Sequence, residues 1–274
     1  GIFVLPGLAV GITGSSVWLA FLVAALCILP AVLSKSELGT AMPKSGGTYV
    51  YIERAFGPLF GTIAGIGLWL SLLLKSAFSL VGLSAYLYVV VNIDEAYTKA
   101  IALLALLLIF LLNVFGLKKV EKTQLFIVSV SLISLIVIIV LGFGSFDTKL
   151  TEPVFSDGTN GFIAGVAFLY ISYAGVTKIA AIAGEIKNPA KNLPLTMIIS
   201  LFLITTIYCM VALALVGNVE ASILATDIKP IHTLFQTIGG ETFGLVAGVV
   251  GALTLLSMAN SGVLASSRFP FAMS

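Results

Sequence analysis

The sequence predicts an all-α polytopic membrane protein, and three observations carry that prediction. Of the 274 residues, 59% are hydrophobic and 9% are charged, with a mean hydropathy of +1.16. An ordinary soluble domain is about 25% charged. The apolar residues gather into runs near the roughly 20 that a spanning helix needs. Lysine and arginine are distributed unevenly over alternate connections, as the positive-inside rule requires of a polytopic chain. The net charge of +2 and the lack of any basic run exclude a nucleic-acid partner. The lipid bilayer is the partner this composition implies.

Eight hydrophobic segments follow in order. The first, residues 1–10, has half a spanning length. The second covers 16–40, with Pro30 a kink. A polar stretch from Pro43 to Arg54 separates it from the third, 58–91, which is long enough to require tilt. A short acidic turn at 92–98 leads to the fourth (99–115) and the fifth (120–143). A loop at 144–160 precedes the sixth, which opens near Gly161, and the seventh covers 194–216. Residues 218–241 form a longer loop with a short surface helix at 230–238, and the eighth begins near Thr242. The chain starts at Gly1 and ends at Ser274 inside a helical run, so it reads as a piece of a longer protein, truncated at both ends.

Orientation comes from the basic residues. If the loop after the second segment is cytoplasmic, that side collects Lys35, Lys44, Arg54, Lys118, Lys119, Lys122, Lys187, Lys191 and Arg268. The other side receives Lys99, Lys149 and Lys229. This bias places the N-terminal side of the first segment in the cytoplasm. Glycine pairs four residues apart, Gly61 with Gly65 and Gly244 with Gly248, report close helix packing and nothing further.

Residues suited to covalent or metal chemistry are sparse. The sequence holds no metal-ligand cluster, catalytic triad or phosphate loop, which argues against an enzyme, and no cofactor is implied beyond possible H+ or Na+ coupling. His232, the only histidine, falls in an outside loop and reads as an exposed polar residue. Cys27 and Cys209 lie in apolar runs and read as packed thiols. Lys75 and Lys178 are different, because both fall at membrane depth. A charge there is costly unless it meets carbonyls, a carboxylate, water or a solute. The bland alternative is a structural lysine reaching carbonyls or an interface along its flexible stem.

The sixth segment carries the strongest signal. It reaches Ser172-Tyr173-Ala174-Gly175 halfway across, passes Thr177 and Lys178, and ends at Glu185-Ile186-Lys187-Asn188-Pro189. A small, polar interruption at this depth is tolerated where backbone lines a cavity. The expectation is a discontinuous helix with unwound backbone at 172–175 and unpaired carbonyls near 170–173, suited to an ammonium. Residues 1–7, Gly-Ile-Phe-Val-Leu-Pro-Gly, read as the outer half of a second discontinuous helix, whose free N–H groups suit a carboxylate. Two opposed breaks at mid-membrane fit a zwitterion such as an amino acid.

Four stretches resemble the amino acid–polyamine–organocation (APC) family of secondary transporters. These are Gly1-Ile2-Phe3 with Gly7; Pro43 with Gly46-Gly47-Thr48-Tyr49-Val50-Tyr51; Glu185-Ile186-Lys187-Asn188-Pro189 with Lys191 and Pro194; and Ser267-Arg268. The resemblance implies the leucine-transporter fold, a five-plus-five inverted repeat with its first and sixth helices discontinuous. The chain would then hold a first repeat at about 1–143 and a partial second at about 161–274. It also implies that substrate meets Gly1, Ile2 and Phe3 and then Ile171, Ser172, Tyr173, Ala174 and Gly175, with Lys75 and Phe78 shaping the pocket. The sequence departs from common family patterns at Val176 and Thr177, where an aromatic and an acid often stand. It departs again at Ser131, where some proton-coupled members carry lysine. Coupling therefore stays open between sodium at Ser131, Ser257 and Ser261, a proton at Lys75 or Lys178, and ion-free exchange.

The function expected is secondary active transport of an amino acid or related amine across the cell (plasma) membrane by alternating access. A channel would need a continuous polar stripe along several helices, and the polar groups cluster at mid-depth instead. A substrate-binding membrane sensor on the same fold is the remaining rival.

Overall fold

The computed structural model describes residues 1–43, 47–91, 95–115, 120–155 and 158–273. Among them there is no strand, and the architecture is all-α. Helix α1 (Leu5–Thr13) ends where Gly14 takes φ 61°, a left-handed value that glycine adopts without Cβ strain. A 3₁₀ turn then leads into α2 (Val17–Ala41). Next come α3 (Thr48–Phe56), α4 (Pro58–Val91), α5 (Thr98–Val114) and α6 (Val120–Gly144). At the α3–α4 junction Gly57 has φ 89° and donates its N–H to the Glu53 carbonyl at 2.8 Å. Pro58 then opens α4, so a glycine stop is followed at once by a proline start.

The second half holds α7 (Gly158–Tyr170), two 3₁₀ stretches at Ile171–Tyr173 and Val176–Glu185, α8 (Pro189–Val216), the short α9 (Ala221–Leu224) and α10 (Pro230–Met273). Gly240, at φ 75° and ψ −169°, divides α10 into two helices.

Among the described residues, six helical stretches are long and apolar enough to cross a membrane: Leu5–Ala41, Pro58–Val91, Thr123–Gly144, Gly158–Ala180, Pro189–Val216 and Pro230–Ser267. The chain is an integral membrane protein. Eight segments were read from the sequence, and at least six helical stretches have the length and composition to span. The first two join into one apolar stretch across Gly14, and the fourth is a 17-residue helix, at the short limit of spanning length.

The core forms between α2, α8, α4, α10 and the 3₁₀ region. Val17, Ala20, Phe21, Ala24 and Ile28 line one face of α2 at helical spacing, and α8 meets α2 with Leu193, Met197, Val211 and Leu215 all buried. Helix α4 packs along α10. Leu103, Leu104, Phe110, Leu125, Phe126 and Ile133 of α5 and α6 stay exposed, as expected of side chains solvated by lipid. Hydroxyls inside α4 are satisfied locally: Ser76, Ser79 and Ser84 donate to carbonyls four residues back.

Several local readings change. The polar stretch at 43–54 contains the nine-residue helix α3, which buries Tyr49 and Tyr51; Lys44, Ser45 and Gly46 of its motif lie outside the described residues. Helix α8 starts at Pro189, five residues before the expected position, with Asn188 in the left-handed region (φ 50°). Cys27 is exposed rather than packed. His232 is not an exposed loop residue: it sits in the first turn of α10, 5% exposed, beside buried Ile231, Leu234 and Phe235.

Candidate functional site

Residues 1–4 and 171–175 are the two non-α stretches expected to form the site, and both lie near one aromatic cluster. The Gly1 carbonyl accepts the N–H groups of Val4 and Leu5 at 3.1 and 3.0 Å, closing a turn before α1 begins. Ile2 and Phe3 within that turn are buried. A Cβ at Gly1 would lie 3.3 Å from the Tyr208 hydroxyl. The Tyr208 ring lies 5.8 Å from that of Tyr173, and both contact Phe21 edge-on. Tyr173 donates its hydroxyl to the Phe21 carbonyl at 3.0 Å. Farther along the same elements α1 packs on α7, where a Cβ at Gly165 would overlap Thr13 Cγ2.

The interruption falls where the sequence placed it, but it is tightened rather than unwound. Ala174 and Gly175 keep right-handed helical dihedrals. The Ile171 carbonyl accepts from Ala174 N–H and the Gly175 carbonyl from Lys178 N–H, both at 3.2 Å. These carbonyls are therefore not unpaired, though each keeps a second lone pair. The Val176–Glu185 stretch runs ten residues as 3₁₀ helix, whereas such runs seldom exceed about 3–4 residues. Ser172 is buried, and its Oγ has no hydrogen-bond partner among the described residues. Ile171 faces outward, 58% exposed.

Lys75 reaches this interruption from α4. Its Nζ lies 3.9 Å from where a Cβ on Gly175 would stand. Lys178 is within electrostatic reach of Lys75. Among the described residues neither ammonium has an ion pair or a hydrogen bond. Phe78 is not gathered here: it is 74% exposed, on the outer stripe of α4 with Leu74 and Val81. The inward face continues instead through Ser79 and Gly82, and a Cβ at Gly82 would lie 2.9 Å from Val4.

Sequence reading missed Tyr86. This residue is fully buried on α4, donates its hydroxyl to the Phe3 carbonyl at 2.7 Å and meets the Phe3 ring edge-on at 6.1 Å. A tyrosine inside an apolar run is a signal that a buried partner exists, but the run does not name the partner. Above it, Asp227 accepts the Lys229 N–H at 2.8 Å and the Thr233 hydroxyl at 2.5 Å.

The serines named for ion coupling lie on another seam. Ser131 of α6 is buried and pairs with Thr254 of α10 while bonding the Ile127 carbonyl. Ser261 accepts from Gln124 and donates to the Ser257 carbonyl. Asn113 of α5 joins Asn260 at 2.7 Å. At the expected inner end, the Tyr51 hydroxyl lies 3.2 Å from a Cβ built on Gly39, in a contact shared with Leu193 and Ala183. That hydroxyl has no partner among the described residues, and burial pushes its pKa up.

Known proteins of the same kind bear on this arrangement. Bacillus subtilis SteT, a serine/threonine exchanger, is 28% identical over 100% of this chain and 64% of its own length. Lactococcus lactis BcaP, a branched-chain amino acid permease, is 30% identical over 99% of this chain and 63% of its own. Arabidopsis thaliana cationic amino acid transporter 7, chloroplastic, is 23% identical over 98% and 50%. The chain thus spans about half to two thirds of the length of the curated relatives it matches. The match to the family described as amino acid permease covers residues 1–274. Within an all-α membrane architecture, that match makes this chain a member of the amino acid permease family, within the APC superfamily, and not of an enzyme family.

Proposed function

We propose that the chain carries the substrate-binding part of a secondary transporter that moves an amino acid or related amine across the cell membrane by alternating access. The reading rests on one observation: residues 1–4 and 171–175 both leave α geometry and approach the same Tyr173–Tyr208 pair. In this reading the Ile2 and Phe3 N–H groups take the substrate carboxylate, and the second lone pairs of carbonyls at 171–175 take its amine. Gly1, Ser172, Tyr173 and Ala174 complete the lining. The two discontinuous helices belong to a first repeat at 1–143 and a second at 161–274, with the N-terminal side in the cytoplasm, in keeping with the basic loop residues.

Coupling falls to a proton at Lys75 or Lys178, or to exchange. Ser131 and Ser261 already meet partners across the α6–α10 seam, which supports a packing role for these two over sodium binding. The test is uptake by the full-length protein in proteoliposomes, under sodium or proton gradients and in counterflow. Accumulation or exchange of at least one amino acid is expected. No uptake and no exchange of any amino acid under every condition would defeat the reading.

A further inference from the structure

Two positive side chains stand at the interruption, and among the described residues no negative one pairs with them. Lys75 comes from α4 with its Nζ 3.9 Å from the Cβ position of Gly175, and Lys178 comes from the next turn of the 3₁₀ stretch itself. Lys178 stands one 3₁₀ turn beyond Gly175, its N–H donating to the Gly175 carbonyl at 3.2 Å, and among the described residues no carboxylate pairs with either lysine. Asp227, below the first turn of α10, is already engaged by Lys229 N–H and the Thr233 hydroxyl. Both lysines are only partly buried and Gly175 is exposed, so a solute can reach them.

A charge at membrane depth is ordinarily paired. The backbone at 1–4 and 171–175 reads the carboxylate and amine common to all amino acids, and the two ammonium groups remain after that. A zwitterion brings no net charge to them, and a cationic side chain adds a third positive charge. A second carboxylate supplies the missing counter-ion through charge-assisted hydrogen bonds. We propose that this site selects amino acids bearing a negatively charged side chain, Lys75 and Lys178 together receiving the side-chain carboxylate, and that it disfavours cationic amino acids. The assignment rests on the transport reading above. The relatives are named for serine/threonine, branched-chain and cationic substrates, so family membership leaves the choice to such local residues.

The test uses the full-length protein in proteoliposomes, with labelled L-glutamate, L-aspartate, L-leucine, L-serine and L-arginine taken up singly and in competition. Glutamate or aspartate is expected to compete about tenfold better than leucine or serine, and arginine least well. In counterflow, which needs no ion gradient, Lys75→Met and Lys178→Met should each lower the preference for dicarboxylic over neutral substrates about tenfold. Lys75→Arg should retain the preference for acidic substrates. Equal or better handling of leucine, serine or arginine by the wild type would overturn the charge assignment while leaving transport standing. So would a Lys75→Met, Lys178→Met double variant that keeps the acidic preference. If the lysine variants do not fold, the wild-type competition series decides alone. A protein that carries none of the five, nor any other amino acid, overturns the transport reading and this assignment together.

Discussion

At the seam between α6 and α10, Ser131 meets Thr254 and Gln124 meets Ser261. At the interruption after α7, Ser172, Lys75 and Lys178 meet no polar partner among the described residues. Both regions place polar side chains at depth in an apolar protein, and by composition alone they look alike. The seam uses its polar groups to fix two helices against each other, and once paired they have little capacity left. The interruption keeps donors unpaired beside a stretch of backbone that has left α geometry. Polarity in a membrane protein therefore marks a binding site only when the group remains unsatisfied.

The contrast breaks most forcefully at Gly165. A Cβ there would overlap Thr13 Cγ2, where α1 and α7, the helices that adjoin residues 1–4 and 171–175, press together. Thr13 is held in place by its own bond to the Ala9 carbonyl, 3.0 Å away, and has little room to yield. Gly165→Val should cost about 3 kcal/mol of stability. It should also abolish uptake by the fraction that still folds, because residues 1–4 and 171–175 move apart. Thermal unfolding in detergent and proteoliposome uptake check both parts, and wild-type uptake by this variant would mean that the two stretches do not act as one site.

Ser131→Ala sharpens the seam side of the comparison. The loss of one interhelical hydroxyl pair in a membrane protein averages about 0.6 kcal/mol. A small drop in thermal stability is expected, with the response of uptake to sodium and proton gradients unchanged. A variant that loses a sodium response while keeping its stability would move Ser131 from packing to coupling.

Long helices were legible because their signal is continuous. Helix α4 runs over Pro58–Val91, as the apolar run and its proline start predicted. The interruption was legible in position, because a cluster of small and polar residues at mid-span is poorly tolerated against lipid and points to backbone facing a cavity. Its conformation was not: the choice between unwound and 3₁₀ backbone depends on which carbonyls find an N–H three residues on, and composition does not encode that. Helix α3 escaped because a nine-residue amphipathic helix has no apolar run to detect. Phe78 was carried over with the family resemblance, whereas in this chain the buried side of α4 runs through Ser76, Ser79 and Gly82. Tyr86 and His232 depend on tertiary partners from distant segments, so a single sequence holds no record of their surroundings.

Unsatisfied hydroxyls at two places give the smallest and most discriminating test. Ser172 Oγ and Tyr51 Oη are both buried without partners among the described residues, yet only Ser172 sits at the interruption. Removing an unpartnered buried hydroxyl relieves a desolvation penalty of about 1–3 kcal/mol, so neither Ser172→Ala nor Tyr51→Phe should destabilise the protein. Ser172→Ala should weaken substrate a few-fold through the loss of a donor, and Tyr51→Phe should leave transport unchanged. Tyr51 adds a pH signature. Burial raises its pKa in the folded state, so its contribution to stability is complete below the ordinary phenol value of about 10 and is lost as pH rises through the folded value. Wild type should therefore lose stability above about pH 10 faster than Tyr51→Phe does. Equal transport in both variants would place Ser172 with Tyr51, as a hydroxyl left over from packing.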